Sequence, residues 1–170
     1  MSKLMISVSG VRGIVGESLT PQVVAQYASA FARYLAPGPI IFGRDSRPSG
    51  ETLQHDVMSA LREAGRTVVD LGIVPTPTVQ LMVEVRAAAG GIVLTASHNP
   101  QEWNALKFVG PTGRFLNRAE GSEFLEIAQK HESTQSTQTP GTRETVEDPL
   151  AIYLEHILGN SLLEVERIKQ

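Results

Sequence analysis

A serine in a polar turn is the residue whose position most suggests chemistry. Ser97 lies in Thr95-Ala96-Ser97-His98-Asn99-Pro100, directly after the apolar stretch Gly91 to Leu94, which is typical of a buried strand. A hydroxyl displayed there is a candidate nucleophile. A hydrolase of the Ser-His-Asp type is disfavoured, because the Gly-x-Ser-x-Gly elbow is missing and the adjacent His98 cannot easily reach back as a general base. From spacing alone, a polar turn stiffened by Asn-Pro is the simpler interpretation.

A glycine-rich segment near the start of the chain offers anion chemistry. In Ser9-Gly10-Val11-Arg12-Gly13 the two glycines allow backbone amides to approach an anion, and the Arg12 guanidinium matches phosphate oxygens. The spacing fits neither a dinucleotide fingerprint nor a Gly-x-x-x-x-Gly-Lys-Ser/Thr phosphate loop. A glycine-rich turn with a solvated arginine is the alternative, and the segment alone favours that alternative.

A third loop, Gly43 to Gly50, carries two arginines around an aspartate. Arg44 and Arg47 bracket Asp45, which favours an internal salt bridge that holds the loop. That interpretation accounts for Asp45 and leaves the roles of Arg44 and Arg47 open.

The elements between these loops alternate strand and helix. Apolar runs predict strands over Leu4–Ser9, Pro39–Gly43, Thr67–Leu71 and Gly91–Leu94. The intervening helices have start signals at Thr20-Pro21, Ser49 and Thr76-Pro77. Units of this length predict an α/β fold with mostly parallel pairing and right-handed crossovers. Loops at the carboxyl ends of such strands cluster, so the three polar loops are expected to meet.

The second half of the chain changes character. A turn at Pro111-Thr112-Gly113 separates two short apolar stretches, and Asn117 with Glu120 predicts a capping box that opens a helix. Residues 132–148, rich in Ser, Thr and Gln, are expected to be a flexible segment or linker. Beyond it an amphipathic helix is expected, packing either on the first core or on a following domain. The predicted organisation is a domain over 1–131, a linker over 132–148 and a helix over 149–170.

Composition excludes several classes of function. The 170 residues include no cysteine, which rules out disulfides, zinc–thiolate sites and iron–sulfur clusters. A formal net charge of −3 argues against nucleic-acid binding through bulk positive charge. The longest apolar run falls short of the roughly 18 residues that span a bilayer. We therefore expect a cytoplasmic protein with neither nucleic-acid nor membrane partners.

The three loops together resemble a known family. The run Thr95 to Pro100 is similar to the active-site signature of the α-D-phosphohexomutases, which include phosphoglucomutase/phosphomannomutase and phosphoglucosamine mutase. Ser9 to Gly13 resembles the arginine loop of that family, and Gly43 to Arg47 resembles its next conserved loop. Asn104 and Lys107 match the Asn-Gly-x-Lys element, with Ala105 in place of the glycine. The order and spacing agree to about Leu116.

The resemblance implies a fold, a reaction and roles for particular residues. The fold is a three-layer α/β/α domain with a mostly parallel, mixed sheet, the first domain of a multi-domain enzyme. Ser97 would be carried as phosphoserine, Lys107 would be the general acid/base, and Arg12 would contact the phosphate and aid proton transfer. Further phosphate- or substrate-binding residues implied by position are His98, Asn99, Gly10, Gly13 and Arg44.

The resemblance also implies cofactors and partners. The family binds Mg²⁺, to which phospho-Ser97 would give one oxygen, and a glucose 1,6-bisphosphate-type activator loads the serine. The expected activity interconverts hexose 1- and 6-phosphates, most simply as phosphoglucomutase/phosphomannomutase, with phosphoglucosamine mutase as the alternative. Because the Asp-x-Asp-x-Asp metal loop of the family is missing, the isolated chain is expected to be nearly inactive without the remaining domains. A truncated phosphate-binding module without turnover is the other alternative.

Overall fold

A computed structural model describes residues 4–7, 10–130, 139–161 and 163. Within these residues it contains seven strands and five helices. The strands are β1 (Met5–Ser7), β2 (Gly10–Ile14), β3 (Ile40–Arg44), β4 (Val68–Ile73), β5 (Gly90–Leu94), β6 (Trp103–Val109) and β7 (Arg143–Thr145). The helices are α1 (Pro21–Tyr34), α2 (Pro48–Glu63), α3 (Thr76–Val85), α4 (Arg118–Gln129) and α5 (Pro149–Leu158).

All seven strands form one mixed sheet in the order β1-β2-β6-β5-β3-β4-β7. The pairs β3–β4, β3–β5 and β4–β7 are parallel, whereas β1–β2, β2–β6 and β5–β6 are antiparallel. Because β6 runs opposite to both of its neighbours, β2 and β5 point the same way. The carboxyl ends of β2, β5, β3 and β4 therefore lie at one edge of the sheet.

Helices cover both faces of the sheet, which confirms the predicted three-layer α/β/α fold. On one face, residues of α1, α2 and α4 form a continuous buried core with the sheet. Aromatic rings dominate the centre of that core, where the ring centroids of Phe31, Phe108 and Phe124 lie 4.6 to 5.6 Å apart. Burial against this cluster raises the pKa of the Tyr27 phenol.

The described helices cover the opposite face only in part. Helix α3 packs on β3 and β5, and Ile152 of α5 packs against the same smaller core. Nearer to β1, the alternation of side chains along β2 and β6 places Arg12, Ala105 and Lys107 on this face. On this part of the sheet, which the described helices leave uncovered, Arg12 and Lys107 stand beside the small apolar Ala105.

Two local signals work as predicted. Thr20 caps α1 by accepting a hydrogen bond from the amide of Val23, and Pro21 begins the helix. Asn117 and Glu120 form the complete capping box of α4. In both cases the capping atoms are within three residues of each other, so local sequence is sufficient.

Three local predictions are wrong. The segment from Gly10 to Gly13 is not a loop, because it pairs with β1 and β6 as strand β2. Helix α2 starts at Pro48 with Arg47 as its N-cap residue, and Ser49 instead accepts a hydrogen bond from the Asn104 amide. Helix α3 has Pro75, not Thr76, in the N-cap position.

The predicted linker over 132–148 contains a strand. Residues 143–145 form β7, which extends the sheet beside β4, so this part of the segment is not a linker. Arg143 holds β7 in place through a 2.6 Å contact with the buried Asp70 carboxylate. Residues 131–138 lie outside the described residues, as do 162 and 164–170 of the predicted C-terminal helix.

Helix α5 has one face on the domain and another in solvent. Ile152 packs against the smaller core, while Leu150, Leu154, Ile157 and Leu158 are 39 to 48% exposed. Among the helices of the described ranges, none is both long and apolar enough to traverse a membrane.

Candidate functional site

Ser97 lies where the buried strand β5 reaches the carboxyl edge of the sheet. The residue is exposed, and its backbone φ of +56° is in the left-handed region that non-glycine residues rarely adopt. The Thr95 hydroxyl accepts a hydrogen bond from the Ser97 amide at 3.0 Å, and the Ala96 carbonyl accepts one from the Asn99 amide at 3.1 Å. This tight turn leaves Ser97 exposed to solvent.

A cavity of about 320 Å³ opens beside Ser97 on the uncovered part of the sheet. It is lined by six of the eight residues expected at the site, namely Gly10, Arg12, Ser97, His98, Asn99 and Lys107. Met5 and Ile6 of β1 form an apolar part of its wall. The fold thus brings residues nearly 100 positions apart to one concave surface.

Arg12 reaches the cavity from β2, where it stands opposite Ala105 of β6. One terminal nitrogen, Nη1, donates a hydrogen bond to the side-chain oxygen of Asn99 at 3.0 Å, and Nη2 lies 3.7 Å from the sulfur of Met5. Arg12 is therefore held against the serine turn with its charge on the cavity.

Lys107 reaches the same cavity from β6, where it pairs with Val93 of β5. Its ammonium lies 5.9 Å from the centre of the Phe115 ring, at the outer range of a cation–π contact. Position 105, where the resemblance leads us to expect Gly, holds Ala, and Ala105 is buried in regular β pairing. The strand therefore continues through it to Lys107.

Gly10 has a steric reason to be glycine. Its φ is +122°, and a Cβ atom at this position would lie 2.0 Å from the carbonyl oxygen of Leu106. Only a residue without a side chain lets β2 approach β6 this closely. The approach places Arg12 and Lys107 on adjacent strands.

Gly13 and Arg44, also expected at the site, lie elsewhere. A Cβ on Gly13 would meet the Ser18 hydroxyl at 2.6 Å, so this glycine packs against the following turn. The Arg44 guanidinium donates to the side chain of Gln54 at 2.8 Å and to the carbonyl of Asp45 at 3.2 Å. Both residues support the scaffold in this structure.

Arg47, whose role the sequence left open, contacts the serine turn directly. Its guanidinium donates to backbone carbonyls of the turn and to Asp45, which confirms the predicted salt bridge at that aspartate. The signal for it was the pair of arginines around Asp45, but the sequence did not show which of the two faces Ser97.

Carboxylates that could complete a metal site do not cluster in this part of the protein. Within the ranges the structure describes, no group of three or more His, Asp or Glu side chains is arranged to hold an ion. Asp45 and His98 line a second cavity of about 390 Å³, which Ser97 also lines. The residues present therefore do not fit a complete magnesium site.

These features define an α/β/α domain whose candidate site lies at the carboxyl ends of its strands. The family model of phosphoglucomutase/phosphomannomutase, alpha/beta/alpha domain I, matches residues 3–135. The chain therefore belongs to the phosphoglucomutase/phosphomannomutase family, as its domain I.

Similar proteins carry two different names. A phosphoglucomutase/phosphomannomutase from Thermococcus kodakarensis is 34% identical over 166 residues, which are 95% of this chain and 36% of the relative. A phosphoglucosamine mutase from Synechococcus sp. strain RCC307 is 35% identical over 164 residues, 94% of this chain and 35% of the relative. The chain spans about a third of the length of these relatives.

Solved structures agree with the fold. A chain from Thermus thermophilus superposes with a TM-score of 0.83 at 29% identity, covering 98% of this chain and 38% of its own length. A phosphoglucomutase/phosphomannomutase family protein from Burkholderia thailandensis gives a TM-score of 0.76 at 29% identity, covering 92% and 36%.

Proposed function

We propose that this chain is the phosphoserine-bearing part of a phosphohexomutase, an isomerase that interconverts hexose 1-phosphates and 6-phosphates. The observation that carries the proposal is the exposed, left-handed Ser97 in one cavity with Arg12 and Lys107. A nucleophile, a phosphate-binding cation and a proton carrier are the three groups that phosphoryl transfer to a sugar hydroxyl requires.

The reaction divides into two transfers. A free hydroxyl of the hexose phosphate attacks the phosphorus on Ser97, the bond from phosphorus to Ser97 Oγ breaks, and a bisphosphorylated sugar forms. The proton lost by the hydroxyl passes through Lys107 and ends on Ser97 Oγ. After the sugar reorients, Ser97 Oγ gives its proton to Lys107 and attacks the phosphorus at the other end. The bond from that phosphorus to the sugar oxygen breaks, and Lys107 passes the proton to this oxygen.

Electrostatics gives a reason for two cations in the cavity that Ser97 lines. Phosphoserine and a phosphosugar each carry close to two negative charges near neutral pH. At about 5 Å and an effective dielectric of about 20, they repel by roughly 13 kcal/mol. Arg12 and Lys107 supply two positive charges at the cavity, which lowers this repulsion without cancelling it. We expect further cations from the remaining domains of the complete enzyme to offset the rest.

Magnesium is the cation that the family resemblance suggests. Phospho-Ser97 would give it one oxygen, and the remaining ligands would lie beyond the described residues, which hold no suitable cluster. A loading activator of the glucose 1,6-bisphosphate type and a cytoplasmic location are parts of the same proposal. The isolated chain is expected to turn over very slowly.

The sugar preference is proposed as that of phosphoglucomutase/phosphomannomutase. Phosphoglucosamine mutase is the second candidate, favoured by relatives of that name at 35% identity. Assays of the complete enzyme with glucose, mannose and glucosamine phosphates distinguish the two.

The test is the phosphorylation of Ser97 in the complete enzyme. After incubation with glucose 1,6-bisphosphate, intact mass and peptide mapping should place one phosphoryl group on Ser97, and Ser97→Ala should abolish both this group and turnover. Ser46→Ala, an exposed serine in the neighbouring loop, is the matched control and should retain both. Normal turnover by Ser97→Ala would refute the proposal. Loading without turnover would favour a phosphate-binding module instead.

A further inference from the structure

We propose that Arg47 is a positioning residue that sets the geometry of the Ser97 turn. This inference rests on the proposed phosphoryl transfer at Ser97. It adds to the proposed site a residue from a different loop, because Arg47 occupies the N-cap position of α2.

All five N–H donors of the Arg47 guanidinium are used. Nη2 donates to the carbonyls of Ser97 at 2.9 Å and Asn99 at 2.7 Å. Nη1 donates to the carbonyls of Pro100 at 2.7 Å and Trp103 at 3.2 Å. Nε donates to the Asp45 carboxylate at 3.2 Å. An arginine has five donors in a rigid planar fork, so one side chain fixes the whole segment from 97 to 103.

Arg47 is itself held on two sides. Its backbone amide donates to one oxygen of Asp45 at 3.0 Å, and its Nε donates to the other. The side chain is only 13% exposed, and Pro48 fixes the start of α2 directly behind it. The guanidinium is therefore a preorganised support for the turn.

The turn needs such support because Ser97 is strained. A φ of +56° is unfavourable for a non-glycine residue, and such a conformation persists only when its surroundings hold it. The bond from Arg47 to the Ser97 carbonyl acts on the strained residue itself. In-line transfer depends on the direction of the serine oxygen, so a displaced turn should slow the chemical step more than substrate binding.

The chain contains a matched control for this test. Arg66 makes the same kind of contact, donating to the carbonyls of Ala32, Leu35, Ala36 and Gly38 at the end of α1. It lies just before β4, at the opposite edge of the sheet from Ser97. Arg47→Lys and Arg66→Lys both keep the charge and lose the planar fork, but only Arg47→Lys should affect Ser97.

Two measurements test the proposal. In this chain, Arg47→Lys should speed amide hydrogen exchange at Ser97, Asn99 and Trp103, whereas Arg66→Lys should leave these amides unchanged. In the complete enzyme, Arg47→Lys should lower kcat about 100-fold with little change in KM, whereas Arg66→Lys should lower stability with kcat retained. Unchanged exchange at the turn, or a retained kcat in a folded Arg47→Lys enzyme, overturns the proposal.

Two further variants keep the test decisive. If Arg47→Lys does not fold, Asp45→Asn weakens the support of the guanidinium while Arg47 remains, and it should lower kcat in the same direction by a smaller factor; a retained kcat there also overturns the proposal. Ser97→Ala separates the two hypotheses. If Ser97→Ala abolishes turnover and Arg47→Lys leaves it intact, the positioning role alone is wrong, and if Ser97→Ala is active, the proposed function is wrong.

Discussion

The guanidinium of Arg12 donates a hydrogen bond at 3.0 Å to the side-chain oxygen of Asn99, 87 positions further along the chain. This contact joins the second strand of the sheet to the turn that displays Ser97. It leaves the second terminal nitrogen of Arg12 near the sulfur of Met5, on the wall of the cavity. Asn99 therefore aims the cation that the proposed mechanism places on the phosphate.

Removing this acceptor should weaken the site without unfolding the domain. A hydrogen bond to a charged group contributes about 1.5 kcal/mol, so Asn99→Ala in the complete enzyme should lower kcat/KM about tenfold. Asn117→Ala is the control, because it removes an asparagine that caps α4 and should cost about 1 kcal/mol of stability with activity retained. Equal activity of wild type and Asn99→Ala would show that Arg12 does not need this partner.

The strain at Ser97 predicts an inverted order of stability. At ordinary positions a protein with glycine is less stable than the same protein with alanine. At a φ of +56° alanine is strained and glycine is not, so the order should reverse. Ser97→Gly should therefore be about 1 kcal/mol more stable than Ser97→Ala in urea unfolding, although both lack the hydroxyl. Ala87→Gly, at a φ of +45°, should also be stabilising and serves as a remote check. A more stable alanine variant at position 97 would argue against the left-handed turn.

Lys107 is proposed as the proton carrier, so its loss should affect turnover more than binding. Lys107→Met keeps an unbranched apolar stem against the sheet and removes the ammonium. In the complete enzyme kcat should fall by roughly 10²- to 10⁴-fold, and binding of the sugar phosphate should change much less. Lys130→Met, at the exposed C-cap of α4, should behave as wild type. An equal loss of affinity and rate would indicate a binding role instead.

The pair formed by Arg143 and Asp70 anchors the last strand. Asp70 is 3% exposed and also accepts a hydrogen bond from the Gly72 amide, whereas the Arg143 side chain is half exposed. Arg143→Ala leaves the buried carboxylate without its cation and should lower the free energy of unfolding by about 1 to 2 kcal/mol.

The effect should be local to β7. Hydrogen exchange of residues 143–145 should rise in Arg143→Ala, with exchange of β3 and β5 unchanged. Arg86→Ala, at the exposed C-cap of α3, is the matched control and should change neither measurement. Unchanged hydrogen exchange in β7 would show that backbone pairing with β4 is sufficient to hold this strand in place.

Local patterns predicted much of the fold. The helix starts at Thr20-Pro21 and Asn117 depend on atoms three residues apart, and the buried strands depend on continuous apolar runs. Predictions failed where a distant partner competes for the same atom. Ser49 was expected to cap α2, but its oxygen accepts a hydrogen bond from Asn104, 55 positions away.

Strand β7 is another element that local sequence patterns predicted wrongly. Its three residues are exposed and polar, so their composition predicts a linker. They form a strand because β4 offers a free edge and Asp70 offers a buried charge, 73 positions earlier in the chain. Neither feature is visible in the segment itself.

The sequence by itself determined the alternation of strands and helices, the serine turn after a buried strand and the family to which these motifs point. These follow from apolar periodicity, from short-range capping and from residue types that are adjacent in the chain. Tertiary structure decided which arginine of the pair around Asp45 faces Ser97. It also decided the role of Gly10, which allows β2 to approach β6 closely. The direction of a side chain depends on the packing of the element that carries it, and that packing is set by contacts between residues far apart in the chain.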